Sequence, residues 1–458
     1  MRLAGFEPRQ ALTMRRYVSP MTAHIPGQLA PRSGERTAND LCSILALLLG
    51  LVMPLISAWI YPTYRHFMPS PVAESSRLLE LPFVVCEALV ICWALGRGME
   101  LRQLARSLPR DCRRAAALLM LGVWGSTLLV SKVPSISLAI SVSTVLHLLF
   151  AAAVLHLLRT GRPPSVDRFA IGLGAGLVAL AAVTAWRFLL PPPLWQVPGG
   201  VIEWSSSLPG FISVRHFGSW TGAVTAIAAL LVLQRPRGAT WSWREALFLL
   251  SAAMTIWSGT RAAVLAIALS CAIAVAGRGR LPDWQIVGRV AVLTIVSTAV
   301  AYLLRPHGDQ AFFLVRLGDA AGGGVEAFTS GRLSLWIATF QKWLEAPFFG
   351  WGSGSTFWEV YTGWPHTQPH NFVLQFLISW GVVGTCGALW LLARATASAH
   401  ECASADSELW PLYAGLCALL IMALLEGMLH YPRFIMLIAA LYALIFQLAE
   451  RRVAAMRY

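Results

Sequence analysis

The chain has 458 residues, of which 57% are hydrophobic and 13% charged. A water-soluble domain carries about 25% charged residues, so the composition excludes a soluble fold and points to an integral membrane protein. The net charge of +14 comes from arginines in loops, with no basic stretch interleaved with a stacking platform of aromatics. That excludes nucleic acid as the partner and favours basic loops retained in the cytoplasm beside a lipid bilayer.

Residues 1–40 are polar and arginine-bearing, without the apolar core of a cleavable signal. They are expected to form a disordered cytoplasmic tail, whose true start could be Met14 or Met21. Apolar runs of about 20 residues then recur, which predicts helices rather than the alternating strands of a barrel. Nine spans are expected within 41–304: Leu41 to Ile60, Leu79 to Leu95, Ala115 to Val130, Ile136 to Leu158, Phe169 to Leu190, Phe217 to Leu233, the two halves of Ala246 to Ala276, and Ile286 to Leu304. The run from Ala246 is too long for one span and is divided at Trp257-Ser258-Gly259-Thr260. A polar segment, 305–370, follows as one large outer-face loop. Within it Leu333, Trp336, Phe340, Trp343 and Leu344 recur at helical spacing from about Arg332, predicting a short interfacial helix. Three more spans, Asn371 to Leu392, Leu409 to Leu429 and Phe434 to Leu448, fill 371–448, and 449–458 is a second cytoplasmic tail. The expected fold is therefore all-α and polytopic, with about twelve transmembrane helices and one large outer loop containing short helices. Arginines cluster in alternate loops (Arg97 to Arg114, Arg159 to Arg168, Arg235 to Arg244, Arg278 to Arg289), and this alternation places both termini inside.

The eight cysteines show no CxxC or Cys/His spacing and are expected to be free thiols. Gly350-x-Gly352-x-Gly354 follows no strand, so it is no dinucleotide fingerprint. On this topology several cations stand at the outer face against the general trend: Arg187, Arg215, His216, Arg261, Arg332, His430 and Arg433. They could grip an anionic ligand through planar guanidinium forks, or snorkel to headgroups, or pair with an acid such as Glu203 or Glu326. Arg215 and Arg261, each abutting a helix start, favour the anion.

The segment Pro365-His366-Thr367-Gln368-Pro369-His370-Asn371 stands immediately before an apolar run. The prolines keep it extended, and Asn371 or His370 falls at the N-cap, where the helix start could seat an anion. His370 could be a general base, since a neutral imidazole accepts a hydroxyl proton near neutral pH, or simply a capping histidine. His366 fits a loop partner of His370. The two imidazoles lack nearby carboxylates, so no metal is expected. Glu87 and Glu426, within or ending spans, read as packing groups, although an acid inside the membrane is a functional candidate by default.

Two motifs give these residues a context. Arg261-Ala-Ala-Val-Leu265 fits Arg-x-x-x-Leu, and His370-Asn371, nine residues, then Gly381-Val-Val-Gly384 fits His-(Asn/Ser/Gln) followed by Gly-x-x-Gly. Arg332, Trp336, Pro347, Gly350 and Gly352 complete a surrounding pattern. With these motifs the chain resembles the O-antigen ligases, within a superfamily that includes O-antigen polymerases and protein O-oligosaccharyltransferases. The resemblance implies a donor of O-antigen linked to undecaprenyl diphosphate, a lipid A–core acceptor and a periplasmic site, with no cofactor and no metal. Taken with the outer-face cations, it leads to His370, Arg261 and Arg215 as expected catalytic residues, and Arg187, His366, Asn371, Arg332 and Arg433 as expected substrate-binding ones. A transporter, with the broken helix near Ser258 as its substrate site, is the alternative of another class.

Overall fold

The computed structural model describes residues 44–59, 80–160, 164–189, 208, 214–304, 331–354, 368–429 and 431–455. Among them every regular element is helical. In chain order these are α1 (Leu45–Trp59), α2 (Leu81–Gly96), α3 (Leu101–Ser107), α4 (Arg110–Gly125, continued by a π turn to Val130), α5 (Pro134–Thr160), α6 (Val166–Leu189) and α7 (Val214–Leu233). There follow α8 (Trp243–Trp257), α9 (Arg261–Arg278), α10 (Trp284–Leu303), α11 (Arg332–Leu344), α12 (Phe372–Ala405), α13 (Trp410–Glu426) and α14 (Pro432–Ala455). Nine of the described helices are long and apolar enough to cross a membrane. In addition α2 continues into α3 through a 93° bend, and α1 is a shorter apolar helix. The protein is an all-α, multi-pass membrane protein.

Among the described residues each of the twelve expected apolar segments contains a helix, and the break at Ser258–Thr260 separates α8 from α9. The boundaries move where polar residues gain partners. Helix α4 starts five residues early because Asp111 meets Arg394 (3.2 Å). Helix α12 runs on to Ala405, well past the expected stop at Leu392. Helix α8 begins with a capping box, Ser242 with Glu245, whose carboxylate also binds Arg235 (2.7 Å) and Arg289 (3.0 Å).

The helices share two ends. At the basic end Arg159 bonds Glu450 (3.0 Å), Arg244 bonds Asp167 (2.9 Å), and Gln234 reaches the Ser407 carbonyl (2.6 Å). At the opposite, histidine end, Phe188 of α6 packs edge-on to Trp257 of α8 (5.1 Å), which also meets Phe217 of α7 (5.9 Å). Helix α7 is the axis: nearly all its side chains are buried, against α8, α9, α10 and α13.

Helix α12 is bent at Gly381, whose φ of 62° and ψ of −168° interrupt the hydrogen-bond ladder. The groups this frees are satisfied by the segment after α11. Pro347 and Phe348 carbonyls accept from Val382 (2.8 Å) and Val383 (3.3 Å), while Trp351 and Gly352 donate to Ile378 (2.7 Å) and Ser379 (3.2 Å). Residues 347–354 are thus a re-entrant turn seated in the kink, as irregular backbone at membrane depth requires. Ser353 pins the turn to α5 and α12: its hydroxyl accepts from Ser141 (2.8 Å) and Trp380 (2.9 Å), and its carbonyl from Ser137 (2.9 Å). A Cβ on Gly381 would lie 2.1 Å from the Phe348 oxygen, so only glycine fits.

Candidate functional site

The site lies at the histidine end, where α7, α9, α11 and α12 begin and α13 ends. Asn371 is the N-cap of α12: its Oδ1 accepts from the Val373 (2.9 Å) and Leu374 (3.1 Å) amides, and its Nδ2 donates to the Leu424 carbonyl (3.0 Å). The expected anion seat on this helix start is therefore filled by the protein's own amide, and Asn371 is spent on capping rather than presented to a ligand. Trp336 of α11 holds the chain two residues earlier, donating its indole N–H to the Pro369 carbonyl (2.9 Å). The rest of that helix follows its apolar spacing, with Leu333, Ile337, Phe340 and Leu344 facing outward.

His370 sits between these anchors with φ of 51°, in the left-handed region that non-glycine residues rarely occupy. Gly427, the left-handed residue that ends α13, lets it approach: a Cβ there would stand 3.1 Å from the His370 Cα. This closeness brings the His370 Nδ1 to 3.8 Å from the Oε2 of Glu426, beyond hydrogen-bond length but facing it. The other Glu426 oxygen accepts from Arg332. The result is a line, Arg332–Glu426–His370, with the Nδ1 edge of the ring turned to the carboxylate. Burial pushes the imidazole down to about 4; the charges of Arg332 and Arg215 act the same way, and Glu426 opposes them. His370 is consequently neutral through the physiological range.

The helix starts that carry Arg215 and Arg261 are neighbours in the fold. Thr260 donates its hydroxyl to the Val214 carbonyl (3.4 Å), and the two arginines are the next residue on each helix. Gly218 makes the approach of α7 to the 258–260 turn possible, since a Cβ would lie 2.1 Å from the Ser258 hydroxyl. Arg187 is buried in the last turn of α6, next to the Phe188 that joins the same cluster.

Two expectations change. Arg433 is no ligand group held ready at the surface: it is buried, its Nε donating to Glu80 Oε1 (2.7 Å) and its backbone N–H to Oε2 (3.2 Å). It fastens the start of α14 to the start of α2. Arg332 braces Glu426 rather than standing open to substrate. His366 and His430 lie outside the described residues. Glu426, read from the sequence as a packing group, is the residue that reading underweighted. The signal was present: an acid ending an apolar span, followed by glycine.

Residues 246–389 match the family described as O-antigen ligase. Over that segment the resemblance to the O-antigen ligase/polymerase superfamily is borne out. The O-antigen ligase match runs from α8 into α12, taking in Arg261, Arg332, the re-entrant turn, His370 and the Gly381 kink. Arg187, Arg215, Glu426 and Arg433 fall outside it, so their places rest on geometry. No curated protein matches the chain. The motif glycines of the matched segment acquire a physical reason. Gly381 forms the kink, and Gly384 lets α12 touch α4, where a Cβ on Gly122 would lie 2.2 Å from the Gly384 Cα.

Proposed function

We propose that this protein is a membrane glycosyltransferase that moves O-antigen polysaccharide from undecaprenyl diphosphate to a sugar of lipid A–core, at the periplasmic face of the inner membrane. The observation that carries the reading is the imidazole of His370, neutral and backed by Glu426, at the bundle end that also holds Arg215 and Arg261. Nε2 of His370 takes the proton of the acceptor hydroxyl. The oxygen attacks the anomeric carbon, the bond to the diphosphate oxygen breaks, and configuration inverts in one displacement. Arg215 and Arg261, helped by Arg187, hold the diphosphate and stabilise its growing charge. Such clamps contribute several kcal/mol in phosphate chemistry. Fixed guanidinium groups take the place a metal would have, because the diphosphate is already a good leaving group. Glu426 acts through His370, holding the tautomer with the proton on Nδ1 and steadying the imidazolium once it forms.

The side of the membrane follows from charge. The basic end, with Arg97, Arg102, Arg106, Arg110, Arg113 and Arg114 in one short stretch, belongs in the cytoplasm, which sets the histidine end on the periplasmic side.

The test is transfer by purified protein from a lipid-linked O-antigen donor, with lipid A–core, a second lipid-linked glycan, or a protein offered as separate acceptors. Lipid A–core is the expected acceptor, and His370→Ala is expected to express normally and abolish transfer. Full transfer by His370→Ala would remove the imidazole from the mechanism. Preference for a second lipid-linked glycan would make the protein a polymerase instead.

A further inference from the structure

A second polar cluster lies inside the membrane, unused by the chemistry above. A cavity of about 250 Å³ opens between α4, α5, α12 and α14. It begins just below the His370 corner, at Gln375 and Phe376, and runs toward the basic end as far as Ala395 and Tyr442. Its walls are mostly leucine, isoleucine and alanine, with Tyr442 at the far end; near the His370 corner they carry four polar side chains, Ser143 and His147 of α5 and Gln375 and Ser379 of α12. All four polar side chains are buried. His147 is held from behind: its Nδ1 lies 2.7 Å from Oε2 of Glu87 on α2, a residue with no solvent exposure. Its Nε2 meets the Ser143 hydroxyl at 3.1 Å. Across the cavity Gln375 Nε2 donates to the Ser379 hydroxyl (3.0 Å).

Polar groups at this depth are costly and need a reason. Joining α2 to α5 explains the Glu87–His147 bond but not why His147 and Ser143 border open space. Whichever ring nitrogen bears the proton, Ser143 keeps one hydrogen-bonding function for the cavity. With the proton on Nδ1, Ser143 donates to Nε2 and its lone pairs remain; with the proton on Nε2, its O–H remains. A hydroxyl or amide carried on an apolar chain satisfies both cases. A polyprenyl chain, pure hydrocarbon, satisfies neither. Apolar walls with a few converging polar groups are the usual form of a specific ligand pocket.

We propose that this cavity binds the acyl chain of the acceptor lipid, a chain bearing a hydroxyl or amide group, with that group at Ser143, His147 and Ser379. The assignment rests on the acceptor-lipid reading of the site above and deepens it: the acceptor is gripped by its chain beside the base, and the prenyl donor lies elsewhere. Ser143 lies nine residues into α5, roughly 13 Å below its start at the helical rise, a depth the chain of an outer-leaflet lipid reaches.

The full-length protein in detergent would be titrated with three probes by native mass spectrometry: N-hydroxytetradecanoyl glucosamine, methyl tetradecanoate and squalene. The hydroxyacyl amide is expected to bind at least about tenfold tighter than the other two. Ser143→Ala is expected to lose about tenfold for that probe alone. Ile438→Trp, which puts a larger side chain into the cavity from its wall, is expected to weaken binding of all three. The readout is binding without donor or transfer, so this result stands apart from the transfer assay. Equal retention of the three probes, preference for squalene, or an unchanged affinity in Ser143→Ala would each overturn the proposal.

Discussion

The role given to Glu426 can be isolated by Glu426→Gln, which keeps volume and can still accept from Arg332. At 3.8 Å, with an effective dielectric of about 20, a full charge on Glu426 favours the imidazolium of His370 by roughly 4 kcal/mol. Arg332, on the other carboxylate oxygen, and Arg215 oppose it. We take the net contribution as about 2–3 kcal/mol, which is roughly 30- to 150-fold in kcat. The assay is steady-state transfer from a defined lipid-linked donor, measured across pH. Glu426 raises the His370 pKa, so its neutralisation should lower that pKa further from about 4. The acid limb of the rate profile should therefore move to lower pH while the plateau falls. A merely structural defect would lower the amount of active protein and leave the limb in place. An unchanged plateau, or a limb that moves upward, would refute the electrostatic account.

Other consequences are as direct. Arg433→Met strands the buried Glu80 carboxylate and should destabilise the protein by about 3–5 kcal/mol; Glu80→Gln in the same chain should restore most of the lost melting temperature. Both variants should leave the pH profile of transfer unmoved, since the pair serves packing. Gly381→Ala places a Cβ 2.1 Å from the Phe348 oxygen at a positive φ. Backbone strain alone costs about 1–3 kcal/mol, so the melting temperature should fall clearly, and an unaltered one would contradict the fit of turn to kink. The depressed His370 pKa also has a stability sign. Between pH 6.5 and about 4 the unfolded chain binds a proton there that the folded one does not, so stability should fall as pH falls through this window. Unfolding midpoints for His370→Gln should show a shallower acid decline over the same range.

Hydropathy and spacing were sufficient for much of the architecture. The twelve apolar segments, the division at Ser258–Thr260, the helix from Arg332 and the cap at Asn371 are properties of neighbours within a turn or two, and those are written locally in the chain. The pairing of charges is not local. Arg433 and Glu80 are 353 positions apart, and Arg332 and Glu426 are 94 apart. From the sequence alone Arg332 and Arg433 looked available to a ligand. Packing decided otherwise: Arg433 was consumed by Glu80, Arg332 by Glu426, and the helix start by Asn371. It also turned Gly381, Pro347 and Phe348 into one structural unit, because a broken helix in a bilayer must find partners for its backbone where no water can supply them. Hydropathy therefore determined that the chain is a multi-pass membrane protein; only the folded arrangement decided which cations are locked in the protein's own ion pairs, because those partners lie far apart in sequence.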